Sequence, residues 1–257
     1  MIIKRKDSFD YQAIEGDYQY RALLKGARMQ RFWHTGKLYA WDVLTKPYQQ
    51  SLRCTKRILE VGCGAGLLLQ HIAVLPSVKI GVDINLHALQ FLKYRMSELS
   101  EMKSATSSYF SMQSKGETLP LESDSFNWVL LSEVIEHLAD PSVLVNEIHR
   151  VLKPGGFLYL TTPNYASHWP LLEKFIDLIG KAPKMVGEQH ISPFTPESLH
   201  LLLKNWTIEL LTSFYRLSPF YAQISFKLAK RALRRELSVE NKHGMLLVCI
   251  ARKFGLY

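Results

Sequence analysis

The amino-acid sequence predicts an α/β fold: a doubly wound, largely parallel sheet with helices on both faces. Short apolar runs alternate with helical segments across residues 57–162. A glycine-rich turn joins the first of these runs to the helix that follows it. Hydrophobic residues make up 47% and charged residues 21% of the 257-residue chain, which is ordinary globular composition and excludes a largely disordered or collagen-like protein.

The predicted elements follow one another in a regular order. Residues 11–53 are expected to be helical, with an interruption at Pro47. These residues belong to a predicted N-terminal helical cap, residues 1–55, which precedes a main domain of residues 56–257. The main domain is expected to contain strands at Arg57–Gly62, Val78–Asp83, Ser107–Met112, Phe126–Leu131 and Gly156–Thr161, and helices at Gly66–Leu75, Leu86–Leu99 and Pro141–Leu152.

The last third of the chain departs from this alternation. Leu171–Ile179 is expected to be a helix, and Thr195 or Pro196 starts another. Two further strands, Ile208–Tyr215 and Gly244–Ala251, are expected to pair antiparallel around an insertion at about residues 216–243.

Residues 220–237 of this insertion have the pattern of a basic amphipathic helix. Apolar residues that include Tyr221, Phe226 and Leu233 share one face, and the opposite face carries Lys227, Lys230, Arg231, Arg234 and Arg235. Such a helix can lie on an anionic membrane or can cover a substrate pocket, and the pattern is compatible with both.

Charge is distributed unevenly along the chain. Residues 1–57 contain 12 Lys and Arg against 5 Asp and Glu, and residues 213–257 contain 9 against 2. The segment between them contains 11 basic and 16 acidic residues. Two basic ends suggest an anionic partner such as a membrane surface or a nucleic acid, although basic residues also serve solubility alone.

The cysteines and the apolar segments indicate the cellular compartment. Cys54, Cys63 and Cys249 lie far apart and form no C-x-x-C pair, which argues against a disulfide framework or a structural zinc site. The N-terminus lacks the apolar core of a secretory signal, and no run of 18 apolar residues occurs. We therefore expect a cytoplasmic protein, with peripheral membrane contact through residues 220–237 as an open alternative.

The clearest functional signal is the segment E-V-G-C-G-A-G at Glu60–Gly66, between the first strand and its helix. Glycine allows sharp turns and close ligand approach, and the start of a helix offers unpaired N–H groups. Gly62, Gly64 and Gly66 form G-x-G-x-G, which differs from the G-x-G-x-x-G dinucleotide fingerprint. Asp83 ends the next strand, where an acid can accept hydrogen bonds from both ribose hydroxyls or can simply cap a turn. The combination predicts a nucleoside-binding site.

Two further motifs extend this pattern. Leu119–Pro141 reads L-P-L-E-S-D-S-F-N-W-V-L-L-S-E-V-I-E-H-L-A-D-P, and Val151–Pro163 reads V-L-K-P-G-G-F-L-Y-L-T-T-P. With them the sequence resembles the class I S-adenosylmethionine-dependent methyltransferases, in the small-molecule branch that includes the ubiquinone-biosynthesis enzymes. The resemblance covers residues 56–164 and, more loosely, Gln189-His190 and the following residues. It implies a seven-stranded Rossmann-like sheet and S-adenosyl-L-methionine as cofactor.

The resemblance also implies roles for individual residues. The three glycines form the loop under the methionine part of the cofactor, and Glu60 organises that loop. Asp83 holds the ribose hydroxyls, Ile84 packs on the adenine, and Ser132 supplies backbone contacts near the methionine end.

One stretch departs from the family pattern. Relatives usually have an acid near the adenine amino group in a D-A-E-x-L-P-like stretch, whereas residues 114–120 here read S-K-G-E-T-L-P. Lys115 stands where the acid is common. Backbone atoms of Lys115 and Gly116, or the side chain of Glu117, are expected to substitute.

The candidate catalytic residues are two histidines. Methyl transfer from a sulfonium mainly needs alignment and a dry site, and a base is needed only for an acceptor that must lose a proton. His137, within S-E-V-I-E-H-L, is the first candidate, and His190 is the second; a structural role is the alternative for each. Glu133 and Glu136 could bind a divalent cation, but a paired acid on a solvated helix face is the commoner arrangement, and no metal is predicted.

Other residues are expected near the substrate. Asn164 and Tyr165, at the end of the fifth strand, are expected to face the crevice where open α/β sheets bind ligands. The aromatic residues of the N-terminal arm either pack on the main domain or form a lid, and the candidates for the lid are Phe32, Trp33, His34 and Tyr39.

The expected activity is methyl transfer to a small organic acceptor at oxygen, and the acceptor could be aromatic, quinone-like, lipidic or sugar-like. Three alternatives remain open. The basic ends suit an RNA methyltransferase, the glycine loop suits an NAD-binding oxidoreductase less well, and a non-catalytic cofactor-binding relative would share the same fold.

Overall fold

The computed structural model describes residues 10–72, 77–102, 107–179 and 189–254. They contain one seven-stranded sheet: β1 (Arg57–Val61), β2 (Val78–Asp83), β3 (Ser108–Gln113), β4 (Phe126–Ser132), β5 (Leu152–Pro163), β6 (Thr207–Phe214) and β7 (Leu246–Arg252). The strand order is β3-β2-β1-β4-β5-β7-β6. The pairs from β3 to β5 are parallel, and β7 runs antiparallel to both β5 and β6. This architecture confirms the predicted fold class and the antiparallel pairing at the end of the chain.

The helices connect and cover the strands. In chain order they are α1 (Tyr18–Lys25), α2 (Arg28–Leu44), α3 (Gln49–Arg53), α4 (Leu67–His71), α5 (Leu86–Met102), α6 (Pro141–Val151), α7 (Trp169–Ile179), α8 (Pro196–Leu202), α9 (Ser218–Tyr221) and α10 (Phe226–Glu236). Within the described ranges, none of them combines the length and the apolar character required to cross a membrane.

Each central strand divides its side chains between two cores, because successive residues of a strand point to opposite faces. In β4, Trp128 and Leu130 belong to a core that includes residues of α2, α4 and α10. Val129 and Leu131, which alternate with them along the strand, belong to a second core that includes residues of α6 and α8. The sheet is therefore covered on both faces, which explains why its strands read as continuous apolar runs.

Some boundaries differ from the predicted ones. Helix α4 ends at His71, and the predicted continuation over residues 73–75 lies outside the described part of the chain. Strand β5 begins at Leu152, so the K-P-G-G sequence lies inside the strand. Gly155 has a φ of 75° there, and the register with β4 shifts between Phe126 and Trp128. The glycine pair therefore forms an irregularity within β5.

The N-terminal helices belong to the same core as the sheet. Phe32 and Trp41 of α2 are buried with Tyr159 of β5 and with Tyr215, which follows β6. The Trp41 and Tyr159 rings meet edge to face with centroids 4.8 Å apart. The predicted interruption at Pro47 is confirmed: α2 ends at Leu44, and Pro47 lies in a short 3-10 helix.

The insertion contains two helices, so the prediction of one continuous helix over residues 220–237 is wrong. Ser225 accepts a hydrogen bond from the Leu228 N–H and caps a new helix, α10, after a break. Glu236 at the end of α10 accepts hydrogen bonds from the backbone N–H groups of Tyr215, Arg216, Leu217 and Ser218. This one carboxylate fastens the insertion to the end of β6.

Substitution of Gly36 would test how closely α2 packs against Tyr215, the residue that follows β6. A Cβ atom at Gly36 would overlap the hydroxyl of Tyr215, which donates a hydrogen bond to the Trp33 carbonyl. We expect Gly36→Ala to lower the free energy of unfolding by about 1–3 kcal/mol through overpacking, although alanine favours helices. In a Tyr215→Phe background the same substitution should be less destabilising. Equal losses in both backgrounds, measured by urea denaturation, would show that Gly36 does not abut this hydroxyl.

Candidate active site

A cavity of about 850 Å³ opens at the carboxyl ends of the parallel strands. Strands β1 and β4 are neighbours there, yet the chain leaves them toward opposite edges of the sheet, and open α/β sheets bind ligands at such a switch point. Every predicted cofactor-binding and catalytic residue lines this cavity except Gly66. Parts of α1, α2 and α7 complete the wall.

The glycine loop after β1 has a left-handed backbone. Gly62, Gly64 and Gly66 have φ values of 68°, 50° and 72°. A Cβ at Gly62 would overlap Val134, and one at Gly66 would overlap Leu92 of α5. All three positions therefore require glycine, and Gly66 serves the packing of the loop on α5.

Asp83, at the end of β2, holds this loop in place. Its Oδ2 accepts a hydrogen bond from the Gly64 N–H at 2.7 Å, and its Oδ1 accepts one from the Asn85 N–H at 2.8 Å. Burial raises the pKa of the Asp83 carboxyl. Each carboxylate oxygen can accept a second hydrogen bond, so Asp83 can bind vicinal hydroxyls while it keeps its backbone partners.

Glu60 supports the same turn from beneath. The side chain is buried, and its Oε2 accepts a hydrogen bond from the Leu69 N–H of α4 at 3.0 Å. Burial raises the pKa of Glu60 to about 8, although that N–H group and the Lys37 ammonium favour the charged form. A cationic group bound in the cavity would shift Glu60 further toward its carboxylate.

The N-terminal segment reaches the glycine loop, which the sequence analysis missed. Gln19 of α1 accepts a hydrogen bond from the Ala65 N–H at 3.1 Å. Beyond β2, the side-chain amide of Asn85 donates to the carbonyls of Tyr11 and Ile14 at 2.8 and 2.9 Å. Tyr11, Ile14 and Gln19 therefore form part of the cavity wall next to Asp83.

The aromatic residues of the arm divide between the two predicted roles. Phe32 is buried in the core and Tyr39 packs against it. Trp33 and His34 line the cavity. Burial lowers the pKa of His34 to about 4, so this imidazole is neutral at physiological pH.

The stretch that departs from the family pattern lies next to the β2 end. The Ser114 N–H donates to the Asp83 carbonyl at 3.1 Å, and Lys115, Gly116 and Glu117 line the cavity beyond it. On the opposite side, the Ser132 hydroxyl at the end of β4 pairs with that of Thr161 at 2.9 Å. The predicted cofactor residues thus surround one continuous space.

The two candidate histidines lie side by side, with ring centroids 5.1 Å apart. His137 Nδ1 donates to the Gln189 carbonyl at 2.8 Å, and burial lowers its pKa to about 4. His190 Nδ1 lies 2.5 Å from Oε1 of the buried Glu173 and 3.0 Å from the Tyr165 hydroxyl. Burial opposes the charged form of His190, but the Glu173 carboxylate together with the carboxyl groups of Glu136 and Glu133 outweighs it, and the His190 pKa is raised.

The two acids before His137 are not on a solvated helix face, so that prediction is wrong. Glu133 has a left-handed backbone and pairs with Lys37 and the Trp33 indole. Glu136 is buried in a 3-10 turn and accepts a hydrogen bond from Thr162, and its second oxygen has no hydrogen-bond partner among the described residues. Ligand atoms of Glu136, His137 and His190 lie within 4.8 Å of one another, so these residues could hold a metal ion.

The Glu136 and Glu133 carboxyl groups have opposite pKa shifts. Burial and the Glu133 charge raise the pKa of Glu136 to about 7. Burial would also raise the pKa of Glu133, but the Lys37 ammonium outweighs it and holds that pKa below its usual range.

Three further expectations need correction. Asn164 is fully buried, and its amide donates hydrogen bonds to the carbonyls of Lys242 and Gly244. It therefore links the end of β5 to the segment before β7 and does not face the cavity. Tyr165 is a partner of Glu173 and does not face the cavity. Among the described residues, α9 and α10 contribute nothing to the cavity wall, because α10 packs its apolar face on the core beside α2.

Glu173 is the functional candidate that sequence reasoning missed. It lies on the face of α7 that also carries Trp169, Leu172 and Ile176, all of which line the cavity. A carboxylate among apolar residues at helical spacing is the signal that could have indicated a buried partner for another polar group.

The fold and the cavity at the carboxyl ends of its parallel strands are typical of enzymes that bind a nucleoside or nucleotide cofactor. Comparison with known families makes the class specific. Residues 27–211 match a family model described as a methyltransferase domain, and the chain belongs to this family. The methyltransferase class predicted from the motifs is thereby confirmed.

Individual relatives agree with this assignment. An ubiquinone biosynthesis O-methyltransferase of Xanthomonas oryzae pv. oryzae is 29% identical over 144 residues, which cover 56% of this chain and 54% of the relative. An ubiquinone biosynthesis O-methyltransferase of Thiobacillus denitrificans is 27% identical over 145 residues, which cover 56% of this chain and 56% of the relative. The chain thus spans about half the length of the curated relatives it matches.

Solved structures share the fold at low sequence identity. A SAM-dependent methyltransferase of Methanosarcina mazei superposes with a TM-score of 0.58 at 21% identity, covering 82% of this chain and 98% of that one. A SAM-dependent methyltransferase of Archaeoglobus fulgidus gives the same TM-score at 18% identity, covering 92% and 99%.

The raised pKa of Glu60 predicts a pH dependence of stability. A carboxyl with a folded-state pKa near 8 keeps its proton in the folded protein between pH 4.5 and 8 but loses it in the unfolded chain, so stability falls as pH rises. Glu60→Gln should therefore gain stability over wild type as the pH is raised from 5 to 8.5, by up to about 1.4 kcal/mol per pH unit. Melting temperatures across this range measure the effect, with the exposed Glu122→Gln as control. A difference independent of pH would contradict a buried, protonated Glu60.

Proposed function

We propose that this protein transfers the methyl group of S-adenosylmethionine to a hydroxyl of a small, largely apolar acceptor. The observation that carries the proposal is the cavity, which joins a nucleoside-type site at the β1 and β2 ends to a histidine pair. When bound, the cofactor supplies an activated methyl group on a sulfonium. The relatives named as O-methyltransferases support oxygen as the acceptor atom.

The residues on the cofactor side fit the adenosyl group and its amino-acid tail. The left-handed glycine loop leaves room for close approach of a ligand to the backbone. Asp83 is the partner for the ribose hydroxyls, and buried Glu60 with its raised pKa is a partner for a cationic amino group. Ile84, Lys115, Gly116 and Glu117 surround the space beyond Asp83, where the adenine would lie.

The acceptor side of the cavity is rich in apolar groups. Trp33 and Trp169 stack obliquely with ring centroids 5.3 Å apart, and the Trp169 ring lies 6.1 Å from that of His190. Met29, Leu172 and Ile176 continue the wall. An aromatic or lipid-like acceptor would bury its apolar body here and present its hydroxyl to the histidines.

The histidine pair divides the catalytic work. His190 is the proposed base, because the Glu173 carboxylate on Nδ1 orients the ring and stabilises the imidazolium that forms when Nε2 takes the acceptor proton. In the described part of the chain no carboxylate is hydrogen-bonded to the His137 ring, and its Nδ1–H donates to the Gln189 carbonyl. Its Nε2 can therefore accept a hydrogen bond from a second donor group of the acceptor, such as a neighbouring hydroxyl, because the reacting hydroxyl gives its one proton to His190. A bound cofactor would supply its methyl group to the acceptor oxygen, and the electrons of the broken carbon–sulfur bond would remain on sulfur.

Transfer of a labelled methyl group tests the proposed reaction. The protein is incubated with S-adenosylmethionine carrying tritium in its methyl group and with catechols, polyprenyl phenols, fatty alcohols or bulk RNA. Label should appear in the organic extract with a phenolic or lipid-like acceptor. Label recovered only in RNA, or in no product, would refute small-molecule O-methylation.

The Glu173–His190 pair predicts a specific pH profile. Only neutral imidazole accepts a proton, so kcat/KM should rise with pH through the His190 pKa, which lies above 6.5. Glu173→Gln should move this midpoint to lower pH and reduce the plateau at least tenfold, because the carboxylate no longer raises the pKa. His190→Ala should reduce the rate about 10²-fold or more.

His137→Ala provides the comparison for this profile. This substitution should raise KM, since His137 positions the acceptor in this scheme. It should leave the midpoint of the pH profile close to that of wild type. A His137→Ala enzyme that loses the pH dependence, while His190→Ala retains it, would assign the base to His137.

A further inference from the structure

Helix α7 has two apolar faces. The inner face, with Trp169, Leu172 and Ile176, lines the cavity. The outer face carries Leu171, Phe175 and Leu178, which are 70%, 58% and 84% exposed. Their spacing of four and three residues places them on one stripe. A contiguous exposed apolar stripe of this kind marks a binding surface for another molecule or a membrane.

A strongly basic surface is formed where the two basic ends of the sequence meet. Arg28 of α2 donates a hydrogen bond to the Gln223 carbonyl at 2.9 Å, and the Arg31 guanidinium lies 5.5 Å above the Phe226 ring. Both arginines are exposed and adjoin α10, whose exposed cations are Lys227, Lys230, Arg231, Arg234 and Arg235. We call these seven residues the basic surface. Within the described residues, none of the seven forms an ion pair with an acidic side chain.

Helix α2 connects the basic surface to α7. Trp33 packs on Trp169 at the start of α7 with centroids 5.3 Å apart. Its neighbour Phe32 packs on Phe226 at the start of α10 with centroids 5.9 Å apart. The two features therefore flank one helix, and Ile224, 73% exposed, adds an apolar side chain beside the basic surface.

We propose that the outer face of α7 and the basic surface together dock this protein on an anionic phospholipid bilayer. Exposed Leu and Phe side chains on a helix enter the headgroup boundary, while Lys and Arg contact anionic headgroups. RNA would match the cations but would leave the aliphatic residues Leu171 and Leu178 in water. The inner face of α7 would then place the cavity wall one helix away from the bilayer. Phe226, Ala229 and Leu233 of α10 are packed in the core, so that helix contributes its cations and one exposed apolar side chain, Leu228.

Co-sedimentation with vesicles tests this proposal and needs no methyl transfer. Wild-type protein should bind vesicles of phosphatidylglycerol and phosphatidylcholine much more strongly than vesicles of phosphatidylcholine alone, and binding should weaken as salt is raised. Neutralising two cations, with Lys230→Gln and Arg234→Gln, should weaken binding about 25-fold, at about fivefold per cation. Phe175→Ser with Leu178→Ser should weaken it at least tenfold.

Matched variants far from these surfaces serve as controls. Phe110→Ser removes a side chain that is 57% exposed on β3, at the opposite edge of the sheet, and Lys93→Gln removes an exposed cation on α5. Both should bind vesicles like wild type. Thermal melts of every variant confirm that it is folded.

Three outcomes would overturn the proposal. These are equal binding to neutral and anionic vesicles, losses in the control variants as large as those in the α7 and α10 variants, and binding to RNA but not to vesicles. Vesicle binding is measured without cofactor, so a failure to bind vesicles would not affect the proposed methyl transfer. A failure to transfer methyl groups would likewise not affect the proposed membrane docking.

Discussion

Two carboxyl side chains, the buried Glu60 and the half-buried Asp83, hold the turn from β1 into α4, and the cavity depends on this arrangement. Asp83 binds the Gly64 N–H across the top of the turn, while Glu60 binds the Leu69 N–H inside the helix that follows. The left-handed glycines let the chain fold back between these two anchors. Burial disfavours both charges, so both carboxyls are held in an environment where a cationic or hydroxyl-bearing ligand would be a favourable partner.

The rest of the site is built around this turn from distant parts of the sequence. Gln19 covers the loop from the N-terminal side, and Lys37 of α2 reaches Glu133 next to the histidines. Glu173 of α7 then orients His190. These contacts explain why the N-terminal helices share a core with the sheet: their aromatic residues fix the polar groups that α1 and α2 present to the cavity.

Periodicity and the glycine motif were sufficient to predict the strand alternation and the antiparallel end of the sheet, because these follow from local chain geometry. The other cofactor-side residues of the cavity wall, such as Ile84 and Ser132, were expected only from the family resemblance. The failures involve tertiary contacts. The segment of residues 220–237 has a continuous helical period, but Ser225 caps a new helix there. Asn164 follows a strand end, as a ligand-binding residue would, yet it binds loop carbonyls. Glu173 is 17 residues from His190 in sequence, so only folding reveals their pairing.

Calorimetric titration with S-adenosylhomocysteine tests the central claim, that the turn held by Asp83 and Glu60 binds the cofactor of a methyltransferase. Wild-type protein should bind S-adenosylhomocysteine with micromolar affinity and should not bind NAD. Asp83→Asn should weaken the affinity about tenfold to a hundredfold, since it loses a charged hydrogen-bond acceptor for the ribose. Absence of binding to wild-type protein, or an unchanged affinity in Asp83→Asn, would contradict this assignment of the site.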